Sequence, residues 1–220
     1  DDSVMQFSEK YSKKIVLRRS RGFAPNILNF NMPQCNEKIL CFGSDLKSTI
    51  TILPNSNCYT SEYIGDLENY DTYLRYEKTI ESYQSIFRFE PEIVLFDAHP
   101  KYISSQLAES YYNLENPIQY LKIQHHKAHF AAILGEKNLW KTDDKILGII
   151  WDGIGYGEDA QIWGGEFFEF QNKEINRLGH LAYYPWVLGD KMSKNPKISA
   201  LSISDCNSLL RNYFDDNEWA

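Results

Sequence analysis

A chain of 220 residues, 43% apolar and 15% aromatic, has the side chains for a packed core and is not a disordered polypeptide. Its formal charge of −7 excludes a general nucleic-acid surface, which needs clustered Lys and Arg. No apolar run approaches the ~20 residues that cross a bilayer, and the start, Asp1-Asp-Ser-Val-Met-Gln6, lacks the basic and apolar regions of a secretion signal, so a cytoplasmic protein without a membrane partner is expected.

The first segment alternates around Val4 and Gln6, then around Ile15 and Leu17. It reads as a short strand pair, followed by a connector over residues 25–37. Lys13, Lys14, Arg18, Arg19 and Arg21 form its one basic cluster, read as a solvated strand face. Some thirty residues cannot build a core of their own, so this is the tail of a neighbouring domain or an arm packed on the main one. A new unit begins at Lys38. Ile39-Leu-Cys-Phe42, Ser48-Thr-Ile-Thr-Ile-Leu53 and the run from Tyr59 to Ile64 form an antiparallel meander. From Asn69 the period changes: Tyr73, Tyr76, Ile80, Tyr83 and Phe87 mark an amphipathic helix. Ile93-Val-Leu-Phe96 suits a central parallel strand and ends at Asp97. A helix over 104–112 and a strand over 120–123 follow. The next helix starts at the histidine segment, with Phe130, Ala131, Ile133 and Leu134 as its apolar face. Lys145 to Trp151 is again a strand; Asp152-Gly-Ile-Gly-Tyr-Gly157 reads as its turn and Gln161 to Phe170 as the returning strand. The fold class is therefore α/β, a mixed sheet with flanking helices. This is the topology of one lobe of an actin-like (ribonuclease-H-like) ATPase, followed by the first hairpin of a second lobe.

Three of the five histidines fall in Gln124-His-His-Lys-Ala-His129. His125 and His129 stand four apart, which on a helix puts both rings on one face with Cβ atoms ~6 Å apart, close enough to grip one ion. The alternative is a pair of surface or capping histidines. Asp152 closes an apolar strand, where open α/β sheets carry their ligand groups. A carboxylate with two neutral imidazoles suits a divalent metal such as zinc or iron. His126 points away and reads as a bystander. Gly153, Gly155 and Gly157 form G-x-G-x-G, not the dinucleotide fingerprint. They either admit phosphate oxygens to backbone N–H groups or make an ordinary hairpin. Lys47, in Gly43-Ser-Asp-Leu-Lys-Ser-Thr49, occupies the equivalent hairpin of the first lobe and either offers a cation there or is a solvated turn lysine. His99, in Asp97-Ala-His-Pro100, either lines the same cleft or, as a loop histidine before proline more often is, serves a structural role. Cys35, Cys41, Cys58 and Cys206 lie too far apart for a zinc ribbon or a disulfide framework and read as reduced. None has the setting of an activated thiolate, and no nucleophile elbow is present.

Six segments, in order, resemble the HypF-type carbamoyltransferases that mature [NiFe]-hydrogenases: Asp1-Asp-Ser-Val4 with residues 18–25, Gly43 to Thr49, Ile64-Gly-Asp-Leu-Glu-Asn69, Asp97 to Pro100, Gln124 to His129, and Asp152 to Gly157 with Ile162-Trp-Gly-Gly-Glu-Phe167. The resemblance implies that residues 1–30 are the tail of a YrdC-like domain, 38–140 the first actin-like lobe of the carbamoyl-transfer domain, and 145–220 an incomplete second lobe. It implies carbamoyl transfer from carbamoyl-adenylate, made from carbamoyl phosphate and ATP, to the C-terminal cysteine of the partner HypE. It also puts His125, His129 and Asp152 at the metal, and Lys47, Gly153, Gly155 and Gly157 at the nucleotide phosphates. Lys127 stands where the family usually has histidine, and Leu188-Gly-Asp190 where it has Gly-Gly-Asp. Two alternatives stay open: a truncated, non-catalytic remnant that binds metal or a partner, and a tRNA threonylcarbamoyl-transferase-like protein. The Trp-Gly-Gly-Glu-Phe hairpin and the YrdC-like tail argue against the second.

Overall fold

The structure, a computed structural model, describes residues 3–20, 23–24, 26–28, 35–111, 117–187, 189–204 and 211–213. Asp1, Arg21, Leu188 and Cys206, named above, and positions 25 and 112 of the ranges above lie outside them. The chain divides into two compact units, Asp1–Thr142 and Asp143–Ala220.

The first unit begins with an antiparallel hairpin of β1 (Val4–Ser8) and β2 (Lys13–Arg18). The expected connector contains a short strand, β3 (Asn26–Leu28), which pairs antiparallel with β6 and becomes the edge of the main sheet. Strands β4 (Ile39–Cys41), β5 (Thr51–Leu53) and β6 (Cys58–Thr60) are the anticipated meander, each shorter than its apolar run. Helix α1 (Tyr70–Phe87) is capped by Asn69, whose Oδ1 accepts from the Asp71 and Thr72 N–H groups. The acidic Asp71 suits the positive end of the helix. β7 (Ile93–Asp97) returns parallel to β4. Helix α2 (Ile103–Ser110), strand β8 (Gln119–Ile123), parallel to β7, and helix α3 (His125–Glu136) complete the unit. The sheet order is β3-β6-β5-β4-β7-β8. Its core is Leu40, Phe42, Ile50, Ile52, Val94 and Phe96 from the sheet side, against Tyr76 and Ile80 of α1. Each such side chain contributes about 1.5–3 kcal/mol by leaving water.

Asp45, buried in the loop after β4, ties that loop to α2. Its carboxylate accepts from the Ile103 and Ser104 N–H groups at 2.8 and 2.9 Å and from the Ser104 hydroxyl at 2.9 Å. A carboxylate on the first turn of a helix satisfies donors that have no partner within the helix.

The second unit is a three-stranded antiparallel sheet, ordered β11-β10-β9, of β9 (Ile146–Tyr156), β10 (Ile162–Gln171) and β11 (Glu174–His180). The short helices α4 (Asp190–Lys194) and α5 (Pro196–Ile203) follow. Trp163, Phe168 and Phe170 of β10 are buried, while Leu147, Ile149 and Trp151 of β9 are exposed. Asp152 to Tyr156 are not a turn, as the glycines suggested, but the second half of strand β9; the chain reverses over residues 157–161. A Cβ at Gly157 would run into the Trp163 indole, so this glycine serves packing at the hairpin end. Among the described residues, no helix is long and apolar enough to cross a membrane.

Candidate metal and phosphate site

Helix α3 starts directly after β8. Gln124 is its N-cap, the side-chain Oε1 accepting from the Lys127 N–H at 3.0 Å. The buried stripe of the helix is His126, Phe130 and Leu134, spaced four apart, whereas Ala131 and Ile133 of the expected apolar face are exposed. His126 has taken a core position. Because the Gln124 amide oxygen is engaged, its Nε2 is the group that meets His126 Nδ1 at 3.2 Å, so that ring nitrogen accepts.

The core stripe holds the rotation of the helix and puts His125 and His129 together beside it. Their Nε2 atoms are 3.2 Å apart, with ring planes inclined by 78°. Asp97, at the C-terminal end of β7, reaches His125: its Oδ2 lies 2.6 Å from His125 Nδ1. A carboxylate only accepts, so Nδ1 carries the proton and the Nε2 lone pair faces His129. The parallel register explains the meeting, since Asp97 pairs with Ile123, two residues before His125. Asp97 is itself held: it is buried, its Oδ1 accepts from the His99 N–H at 2.8 Å and its carbonyl from the Ser105 hydroxyl at 2.9 Å. A carboxylate that holds one ring nitrogen of a histidine is the usual support of an imidazole whose other nitrogen ligates a metal.

Asp97 was not among the sequence-derived site residues. The signal that could have found it is the one used for Asp152, an aspartate closing an apolar parallel strand. The two imidazoles fit a metal. A pair of ligands about 2.0–2.1 Å from a tetrahedral ion stand about 3.3–3.4 Å apart, close to the separation found here. Without an ion, the same contact is a hydrogen bond from one ring to the other.

The His99 ring stacks on Tyr102 with centroids 4.1 Å apart, and Nδ1 accepts from the Lys101 N–H. Lys47 stands exposed in a left-handed turn at φ 53°, its N–H bonded to Asp66 Oδ1 at 2.8 Å. Cys35, Cys41 and Cys58 are free thiols. Burial pushes Cys41 up to about 12, helped by the neighbouring Cys58, and pushes Cys58 up to about 11. Burial, with Glu37 beside it, also raises Cys35. None of these three is a ready thiolate at neutral pH.

In the second unit, Asp152 lies on β9, half-buried, with Oδ1 accepting from the Gly153 N–H at 2.7 Å. Gly153 is open on the side where a Cβ would stand. Gly155 pairs with Trp163 in the ladder, and the Gly157 N–H closes the turn on the Gln161 carbonyl at 2.9 Å. A cavity of about 420 Å³ beside Asp152 and Gly153 is lined by aromatic residues including Trp151, Tyr183, Tyr184 and Trp186, and by the buried Glu166. Asp159 anchors the hairpin end, its Oδ1 accepting from Trp163 Nε1 at 2.7 Å and its Oδ2 from the Tyr183 hydroxyl at 2.6 Å. Partial burial raises the Asp159 pKa, but those bonds outweigh it and bring the carboxyl down to about 2. A depressed carboxyl lends stability above its unfolded pKa of about 4 that is lost as pH falls through the folded value. The Trp163 indole N–H resonance is expected to hold its position down to about pH 4 and to move between there and pH 2. In Asp159→Asn this acid step should vanish; an unchanged step would place its origin elsewhere.

Two family models match the chain, "HypF Kae1-like domain" over residues 34–136 and "Carbamoyltransferase, Kae1-like Domain, second subdomain" over residues 148–217. They define the class as a Kae1-like α/β domain of the carbamoyltransferase type. The chain is 35% identical over 203 residues to "Carbamoyltransferase HypF" of Synechocystis sp., covering 92% of this chain and 25% of that protein. It is 36% identical over 205 residues to "Probable carbamoyltransferase HypF" of Methanocaldococcus jannaschii, covering 92% and 26%. A crystal structure of full-length HypF in a phosphate- and nucleotide-bound form superposes with a TM-score of 0.86 at 33% identity, over 100% of this chain and 28% of that one. The T. kodakarensis HypF structure gives 0.79 at 34% identity, over 92% and 26%. The chain belongs to the HypF carbamoyltransferase family. It spans about a quarter of the length of the relatives it matches.

Proposed function

We propose that this chain supplies the metal- and phosphate-binding part of a carbamoyl transfer, from carbamoyl-adenylate made from carbamoyl phosphate and ATP to the C-terminal cysteine of a HypE-type partner. In this reading His125, His129 and Asp152 hold one divalent ion, zinc or iron, and Lys47 with Gly153, Gly155 and Gly157 receives the nucleotide phosphates. The observation that carries it is the His125–His129 pair, 3.2 Å apart at Nε2 and oriented from behind by Asp97. The open face of Gly153 and the exposed turn of Lys47 support the phosphate assignment, whereas Gly157 is accounted for by its packing on Trp163.

A bound divalent ion would supply Lewis-acid polarisation of the carbamoyl oxygen. The chain's own contribution is orientation: Asp97 keeps the His125 proton on Nδ1, and the buried stripe of α3 keeps both Nε2 atoms on one side. The nucleophile belongs to the partner, which agrees with thiols at Cys41 and Cys58 that stay protonated at neutral pH.

Elemental analysis of the purified chain and of a folded His125→Ala/His129→Ala variant tests the reading. Near-stoichiometric zinc or iron in the parent and none in the variant is expected. Equal metal in both would remove the histidines from the site. In the complete protein, the same double change should abolish carbamoyl transfer.

A further inference from the structure

Strands β9 and β10 fall out of register just where Asp152 sits. Trp163 pairs with Gly155, but Gly165 pairs with Trp151, so Asp152, Gly153 and Ile154 together face the single residue Gly164. Two extra residues on one strand make a special bulge, larger than the usual single-residue kind, and bulges re-aim side chains beside functional sites. The backbone of the bulge lies close over Gly164, where a Cβ would stand 3.1 Å from the Asp152 carbonyl oxygen and 3.3 Å from that of Gly153.

Glu166 holds Gly164 in this position. It is 1% exposed, and its Oε1 accepts from the Gly164 N–H at 3.1 Å while its Oε2 accepts from Arg177 Nε at 2.6 Å. A buried carboxylate needs such a partner, because an uncompensated charge in the interior is strongly unfavourable. Arg177 is fixed in turn: its guanidinium lies 3.7 Å over the Trp163 ring, donates to the Tyr183 hydroxyl at 2.8 Å and meets Asp159 at 3.3 Å. A charged chain therefore runs from β11 through Glu166 to the one residue opposite the bulge.

We propose that Glu166 and Arg177 are positioning residues for Asp152, setting the bulge that aims its carboxylate; the inference rests on Asp152 being a metal ligand, as in the proposed function. Neither residue touches the ion or the substrate in this scheme. Their action passes through the Gly164 N–H and the backbone of residues 152–154.

The test is the affinity of the 220-residue chain for zinc(II), and the visible spectrum of its cobalt(II) form, in the parent and in Asp152→Asn, Glu166→Gln, Arg177→Lys and Gly164→Ala. Glu166→Gln turns an amide NH2 onto either the Arg177 Nε–H or the Gly164 N–H, both donors, so one of the two links is lost. Gly164→Ala presses on the bulge without altering any charge, and it decides the matter if Glu166→Gln does not fold. Zinc affinity is expected to fall about tenfold or more in Glu166→Gln and Gly164→Ala, with an altered cobalt spectrum, and less in Arg177→Lys. A purely structural role would lower the melting temperature and leave both readouts of the folded protein unchanged; that result overturns the proposal. Loss of affinity in Asp152→Asn alone would keep the metal reading and remove this one. Parent-like binding in Asp152→Asn would remove both.

Discussion

Asp97→Ala is expected to weaken metal binding by about 10- to 100-fold while leaving the fold intact. The carboxylate sits 2.6 Å from His125 Nδ1 and is the group that holds the proton there. Without it, the neutral ring is free to protonate Nε2 instead, and a protonated Nε2 has no lone pair to give. The His125 ring also loses its anchor, so the 3.2 Å approach to His129 is no longer enforced. Asp97→Asn can turn its amide oxygen toward Nδ1–H and keep the tautomer without the charge, at the loss of the His99 N–H bond, so an intermediate loss is expected. Competition titration with a zinc chelator measures all three proteins. Equal affinities would mean that Asp97 serves only the loop at His99.

The second large effect concerns stability. Tyr76 is fully buried in the first unit, its hydroxyl donating to the Phe42 carbonyl and its ring inclined to that of Phe42. Tyr76→Ala should cost about 3–5 kcal/mol, from lost burial and the cavity left behind. Tyr76→Phe leaves the Phe42 carbonyl without its donor, and about 1–3 kcal/mol is expected. Urea unfolding of the two variants separates these parts. A Tyr76→Ala loss below about 1 kcal/mol would mean that α1 collapses onto the sheet and refills the space.

Helix α1 was legible from its helical period, and strands β7, β8 and the first half of β9 from their short apolar runs. The site was legible in part for the same reason. Four-residue spacing at His125 and His129 is a local property, and the helix delivers the pair as its geometry requires. Other features of α3 were not readable. Ala131 and Ile133 looked like core, yet the buried stripe passes through His126, Phe130 and Leu134, because tertiary packing and not the local period chooses which face of a helix is covered. The glycines after Asp152 resembled a turn, but the ladder to β10 carries them on as strand, with the bulge absorbing two extra residues.

Local order, the succession of strands and helices and the chemical character of the histidine segment were thus written in residue periodicity and motif wording, since both depend on neighbours a few positions away. The partnership of Asp97 with His125 spans 28 positions, and that of Glu166 with Arg177 spans 11. Each was decided by strand register, and register follows from which faces of the sheets are buried. A shift of one residue would turn either carboxylate to the opposite face, so only the assembled sheets could say which partner each would find.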